Sequence, residues 1–196
     1  LSPTAVNPSL SLADFVTHAG TITEGLDRLD EMRRTAIRAA AISASFIVAN
    51  RATMHLDIDA EELDVLEPRL YRTSGGDLYP VLQFADRLIN GAGISTSLAS
   101  VTGSGETHLV GELILAAVNE QGLYPMSDFL VAGHRETCTT ACYRCLLRYS
   151  NQHFHGILDW RLGLAYLRAL ADATFDAGVS GDFSAPELSD WGELVK

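Results

Sequence analysis

No run of roughly eighteen apolar residues, the length that spans a bilayer as a helix, occurs in this 196-residue chain. Its first residues also lack the charged-then-apolar order of a secretory leader. Positive charge is scarce: 14 Lys and Arg against 25 Asp and Glu leave a formal charge of −11, which argues against a broad polyanion-binding face. No G-x-x-x-x-G-K-[ST] phosphate loop is present, and Gly103-Ser-Gly105 lacks the third glycine and the strand context of a dinucleotide site. The chain therefore carries no nucleotide-hydrolysing equipment of its own. Cysteine is scarcer still, with only 3 residues. An odd count leaves one thiol over in any disulfide framework, and a chain this long buries a core without such staples.

What cysteine there is stands in one place. Cys138, Cys142 and Cys145 fall in the run His134-Arg-Glu-Thr-Cys-Thr-Thr-Ala-Cys-Tyr-Arg-Cys. Structural zinc sites are closed tetrahedra of four Cys or His ligands. Cys142 and Cys145 have the spacing of a zinc knuckle, and Cys138 and Cys142, four apart, can face one way on a single helical turn. Three thiolates need a fourth ligand, and His134, His153 and His155 all lie close by. An iron–sulfur cluster in the radical-SAM manner also uses C-x3-C-x2-C, but usually with an aromatic residue directly before the last cysteine. Arg144 holds that place here, and too few residues follow Cys145 to build the large barrel such enzymes need. A catalytic thiol would leave two cysteines without a role. The expectation is Zn2+ in a structural site. Reduced, metal-holding cysteines fit the cytoplasm.

With 47% apolar residues the chain is a folded, globular one. Residues 1–20 are polar and Pro-bearing and read as a linker or lead-in, with a short helical turn near Asp14. The chain opens on Leu1 in a loose run, as a piece cut from a longer protein would. Thr21-Ile-Thr-Glu24 resembles a capping box. Behind it Ile22, Leu26, Leu29, Met32, Ala36, Ile37, Ala40, Ala44 and Ile47 recur at helical spacing, and Ala39 to Ala49 is apolar nearly all round. This predicts a long central helix. Leu63–Tyr71 and Tyr79–Ala85 read as strands joined by a Gly75-Gly76 turn, with Pro80 at an edge. Helices are predicted over 95–101, 106–121 and 159–175, with a helical turn at Leu146–Tyr149. The expected class is α+β, mainly helical, with a long central helix, a small β-sheet and a zinc-pinned helical hairpin. Residues 21–176 form the domain, and 177–196 an acidic tail or linker.

Other groupings are weaker. Asn90-Gly-Ala-Gly93 can cradle a phosphate at a helix N-terminus, or simply turn the chain where backbones pack, which is the favoured reading. Asp86 with His108 or His134 and a nucleophile such as Ser97 has no supporting spacing. Asp57, Asp59, Glu61 and Glu62 lack the twelve-residue calcium-loop pattern. Asn151-Gln152-His153-Phe154-His155 supplies amides and imidazoles that can steady a metal ligand or its loop. Any contact with DNA has to be local, through Arg33, Arg34 and Arg38 or through Arg135, Arg144 and Arg148.

The stretch Cys138-Thr-Thr-Ala-Cys-Tyr-Arg-Cys-Leu-Leu-Arg-Tyr-Ser-Asn-Gln-His-Phe-His-Gly-Ile-Leu-Asp-Trp-Arg-Leu162 resembles the signature of the MrfA-type zinc-binding (MZB) domain. Phe84-Ala-Asp-Arg-Leu-Ile-Asn-Gly-Ala-Gly93 is similar to that family's D-x-L-x-x-G-A-G element, and the long helix and Leu56-Asp-Ile-Asp-Ala-Glu-Glu-Leu-Asp-Val match what precedes it. The resemblance covers about residues 30–170. It implies a structural zinc site and a place at the C-terminal end of a superfamily 2 DEAD/DEAH-type DNA helicase, or in a partner protein of one. Such systems act in DNA repair or in phage defence, and the implied partners are the helicase motor domains and single-stranded DNA. Better-known members hold zinc with four cysteines, whereas this chain has three. The family's N-Q-x-x-H histidine falls on His155, so Cys138, Cys142, Cys145 and His155 are the expected ligands, with His134 the runner-up. The expected function is a non-catalytic accessory domain. The alternative is a protein–protein scaffold of a defence complex that touches no nucleic acid.

Overall fold

A computed structural model describes residues 22–72, 74, 78–88, 91–102 and 107–189. The expected lead-in, the Thr21 end of the capping box, the Gly75-Gly76 turn, Asn90, Gly103-Ser-Gly105 and the last seven residues lie outside the described residues. The fold is α+β and mainly helical.

Helix α1, Ile22–Leu56, is the central element. Ala41, Ile42, Ala44, Ile47 and Ala52 are fully buried, so the expectation of a helix covered on several sides holds. Two serines are buried with them, and each has a partner. Ser45 Oγ donates to the carbonyl of Ala41 at 2.9 Å, and Ser43 Oγ accepts from the backbone N–H of Asp159 at 2.9 Å. The helix stops because Asp57 adopts a left-handed conformation (φ 54°) and Ile58 N–H reaches back to the Thr53 carbonyl at 3.1 Å. That bond is the six-to-one closure of a Schellman C-terminus.

An antiparallel hairpin, β1 (Leu63–Arg72) and β2 (Leu78–Asp86), lies against α1. Val65 and Phe84 face each other across the ladder and pack into the core. Between Leu66 and Arg69 the first strand carries one extra residue, next to Pro68, which has no N–H to give the ladder. Helix α2 (Ile94–Leu98) follows, then a minimal ladder of β3 (Val101–Thr102) and β4 (Thr107–His108), then α3 (Leu109–Asn119). The predicted helices over 95–101 and 106–121 are thus shorter, because Val101, Thr102, Thr107 and His108 pair with one another. On α3, Leu109, Leu113 and Ala117 recur every four residues and form its buried stripe.

Two single-turn helices come next, α4 (Met126–Phe129) and α5 (Ala132–Arg135). Neither shows in the sequence, since one turn is too short to establish a hydrophobic period. After the cysteines, a 3-10 stretch covers Tyr149–Phe154. Helix α6, Trp160–Ala171, opens under Asp159, whose side chain accepts from Arg161 N and Leu162 N at 2.8 and 3.2 Å. It ends four residues before the predicted Phe175, where Asp172 turns its carboxylate onto the N–H and hydroxyl of Thr174.

Residues 177–189, expected as an acidic tail or linker, pack back onto the domain. Glu187 and Leu188 are fully buried, and the Glu187 carboxylate takes both arms of the Arg168 guanidinium at 2.6 and 3.0 Å. Composition pointed to solvent because the acid that mattered, Glu187, is neutralised only by the folded geometry.

Candidate metal centre

The cysteine segment joins α5 to the 3-10 stretch and has little regular structure of its own. Its shape comes from turns and from donors on other elements. The backbone N–H of Cys138 bonds the His134 carbonyl at 2.8 Å, so the helical turn of α5 runs on and brings His134 and Cys138 to one side. The helical turn expected between Cys138 and Cys142 is instead one step earlier in the chain. Cys142 then opens a second turn: its carbonyl accepts from the N–H groups of Cys145, Leu146 and Leu147 at 3.0 to 3.2 Å.

These two turns place one ligand atom each from His134, Cys138, Cys142 and Cys145 within 4.8 Å of one another. It is the one such His, Cys or carboxylate grouping among the described residues. Cys138 and Cys145 sulfurs stand 3.8 Å apart. Sulfurs at two corners of a zinc tetrahedron with bonds near 2.3 Å are separated by about 3.8 Å, whereas a disulfide would bring them to about 2 Å. The grouping can hold a metal ion.

His134 supplies the sharpest test of that fit. The side chain is 2% exposed, and its Nδ1 lies 3.0 Å from the carbonyl oxygen of Phe129, which can only accept. Nδ1 therefore carries the proton, and Nε2 keeps its lone pair. That Nε2 is buried and has no hydrogen-bond partner. An orphaned buried acceptor costs about 1–3 kcal/mol, and a metal ion among the three sulfurs removes that cost. The second ring nitrogen fixed on a carbonyl is also how proteins orient metal-binding imidazoles. Phe129 stacks on the His134 ring at 5.6 Å, and Trp160 lies against it at 5.6 Å, so the cluster has a dry aromatic wall.

His155 does not join the cluster. Its Nε2 lies 3.0 Å from both the Arg148 carbonyl and Asn151 Oδ1, two oxygens that accept, so this nitrogen is the donor, and the ring stands outside the grouping of His134 with the three sulfurs. Asn151, buried, also accepts from Arg148 N–H at 2.8 Å and donates to the Leu146 carbonyl at 2.9 Å. The Asn151–His155 pair thus folds residues 145–149, a steadying role of the kind expected for this stretch. Gln152 and His153 are exposed, the latter against Phe154. The fourth member of the grouping is His134 for a simple reason of register: H-x3-C-x3-C-x2-C puts it one helical turn before Cys138, a spacing legible in the sequence.

The thiols differ. Burial, with the Cys145 charge nearby, pushes Cys138 well above the ordinary thiol range. Burial pushes Cys145 up to about 11, despite the Cys142 N–H donating to its sulfur at 3.0 Å. For Cys142 burial also acts upward, but hydrogen bonds, the Arg144 N–H first among them, outweigh it and hold this thiol below the usual range. Cys142 is the member of the cluster with most access to solvent.

The rest of the signature stretch serves this loop. Trp160 Nε1 donates to the Cys138 carbonyl at 3.3 Å, and its N–H donates to Thr140 O at 2.9 Å. Arg161 reaches the carbonyls of Cys138 and Thr139 at 3.3 and 2.9 Å. On the other side Asn50 of α1 donates to the Tyr124 hydroxyl at 2.7 Å and accepts from Arg148, linking the central helix to the loop. Two elements far apart in sequence are so held against one short segment.

The other candidate groupings come apart. Asp86 closes the N-terminus of α2: its carboxylate accepts from Ile94 N, Ser95 N and Ser95 Oγ at 3.1, 2.8 and 2.6 Å. These bonds, the Ser95 hydroxyl first, hold it below the usual carboxylate range. The anion at this helix end is the protein's own, and Gly91 (φ 72°) and Gly93 (φ 76°) let the chain wrap it. Ser97 Oγ donates to Gly93 O and His108 Nδ1 faces Ala99 O, so no nucleophile–base pair forms there. Glu61 pairs with Arg87 at 2.6 Å, and Asp59 accepts from Glu61 N. No helix among the described residues is long and apolar enough to cross a membrane. No family model, no curated protein and no solved structure matches the chain.

Proposed function

We propose that this chain is a non-catalytic, zinc-stabilised accessory domain of the MZB kind, working in cis or in trans with an ATP-dependent superfamily 2 DNA helicase in DNA repair or anti-phage defence in the cytoplasm. The observation that carries the metal is the buried, unpartnered Nε2 of His134 beside three gathered thiols. His134, Cys138, Cys142 and Cys145 would hold the ion, and the mix of three sulfurs and one imidazole suits zinc. The ion would supply charge and bond strength at these four residues, which lie on the α5 turn and the Cys142 turn, two segments that no disulfide links. Four protein ligands would leave no open position, which is why the role is structural. The helicase assignment rests on the resemblance of the stretch from Cys138 to Leu162, whose Asn151, His155, Trp160 and Arg161 act on the cysteine loop.

The test of this reading is reconstitution. Zinc should co-purify at one ion per chain, and the loaded chain should raise DNA-dependent ATP hydrolysis of a helicase motor that it binds. A chain that holds zinc but never associates with a motor would favour the second reading, a scaffold without nucleic-acid contact. The net charge of −11 favours that alternative.

A further inference from the structure

We propose that Tyr143, Arg144 and Tyr149 form a stacking platform for unpaired nucleobases, through which the domain contacts single-stranded nucleic acid mainly by base stacking and little by phosphate neutralisation. Tyr143 and Tyr149 are 69% and 86% exposed, whereas Tyr124 and Tyr166 are buried. Their positions are held by the loop. One imidazole lies next to both: the His155 ring forms a T-shaped pair with Tyr143 (5.8 Å, 82°), and its Nε2 donates to the Arg148 carbonyl, fixing the backbone that leads into Tyr149. Aromatic faces in open solvent, next to an arginine, are what sequence-tolerant binding of single strands uses.

The arginines narrow the choice further. Arg38 is bound to Glu67, Arg135 to Ser189 and Arg148 to the Ala60 carbonyl and Asn50. Arg144 is exposed and has no ion pair among the described residues. A cavity of about 520 Å³ opens beside it, lined by Tyr143, Arg144 and Arg148 but also by Asp57 and Asp128. Charge at this rim is therefore close to balanced. That balance gives a polyphosphate surface such as duplex DNA little to hold and leaves the ring faces as the attraction, and a duplex hides the faces of its bases.

The proposal deepens the reading above and rests on it only in that the cysteine cluster shapes the loop. Its test is fluorescence anisotropy of the full chain with labelled oligothymidylate and with a duplex of equal length, across a salt series, with zinc content measured for every variant. The oligothymidylate should bind in preference to the duplex. Its affinity should fall with salt at a log–log slope no steeper than about −1, since each neutralised phosphate contributes about −0.7 on single strands. Tyr149→Ala and Tyr143→Ala should each weaken binding by ~10-fold or more, with zinc retained, and the two Tyr→Phe variants should restore it. Absence of oligonucleotide binding at low salt by a zinc-loaded chain overturns the platform and leaves the metal centre standing, as does equal binding of the duplex or indifference to the alanine changes. Loss of zinc from the wild-type chain overturns the metal centre itself.

Discussion

A β-carbon on Gly163 would stand 3.0 Å from the backbone carbon and Cβ of Ser43 and 2.8 Å from Ile47 Cδ1. Helices α6 and α1 therefore meet where a side chain has no room, and the same contact lets the Ser43 hydroxyl reach the Asp159 N–H. Ile47 can shift, but the backbone of Ser43 cannot. Gly163→Ala should cost about 1–3 kcal/mol through overpacking, outweighing the smaller gain in helix propensity. Thermal melting checks this, and an unchanged or raised midpoint would contradict the backbone contact.

His134 and His155 make opposite predictions. His134→Ala removes a ligand and should lower zinc affinity by more than the ~10–100-fold that follows loss of a hydrogen-bonding partner behind a ligand. His155→Ala should keep zinc at wild-type stoichiometry, while loosening residues 145–149. Chelator competition on the two purified variants separates them, and zinc loss from His155→Ala alone would reinstate it as the ligand.

The raised thiols set the sign of the pH dependence. Cys138 and Cys145, the latter at about 11, carry their protons at neutral pH in the metal-free fold. Metal binding must displace those protons, so zinc affinity should rise with pH by up to about one log unit per pH unit for each proton released. Without metal the sign reverses. A thiol whose folded pKa lies above its unfolded value, about 8.5, stabilises the fold below that pH, and this contribution is lost as pH climbs from there toward about 11. Zinc competition and metal-free melts at several pH values test both halves. Metal affinity that is flat with pH would contradict the assignment of protonated thiols.

Glu187 is fully buried and Arg168 mostly so. Arg168→Ala leaves a buried carboxylate without its partner and should cost ~3–5 kcal/mol. Arg168→Ala with Glu187→Ala together should cost less than Arg168→Ala alone, because the stranded charge is gone. Denaturant titration of the two proteins measures the difference, and equal losses would mean that the pair is not desolvated in solution.

Long-period features were legible in the sequence. Helix α1 declares itself because the spacing of Ile37, Ala40, Ala44 and Ile47 persists over many turns, and β1 and β2 because two β-rich runs flank a glycine pair. The single turns α4 and α5 were not legible, since one turn has no period to read. That hid the fourth member of the cluster: without α5 in view, the spacing of His134 had no helical turn to carry it toward Cys138. His155 took its place on the strength of a motif whose histidine serves the loop. The packing of Glu187 was hidden too, because an acid beside Gly and Pro reads as solvent-facing until Arg168 is placed opposite it.

Elemental analysis of the reduced, purified chain, paired with melts before and after chelation, tests the central claim most directly. One zinc per chain, and a melting midpoint that drops when the metal is stripped, is the predicted result. A chain without stoichiometric zinc whose melt ignores the chelator would contradict it.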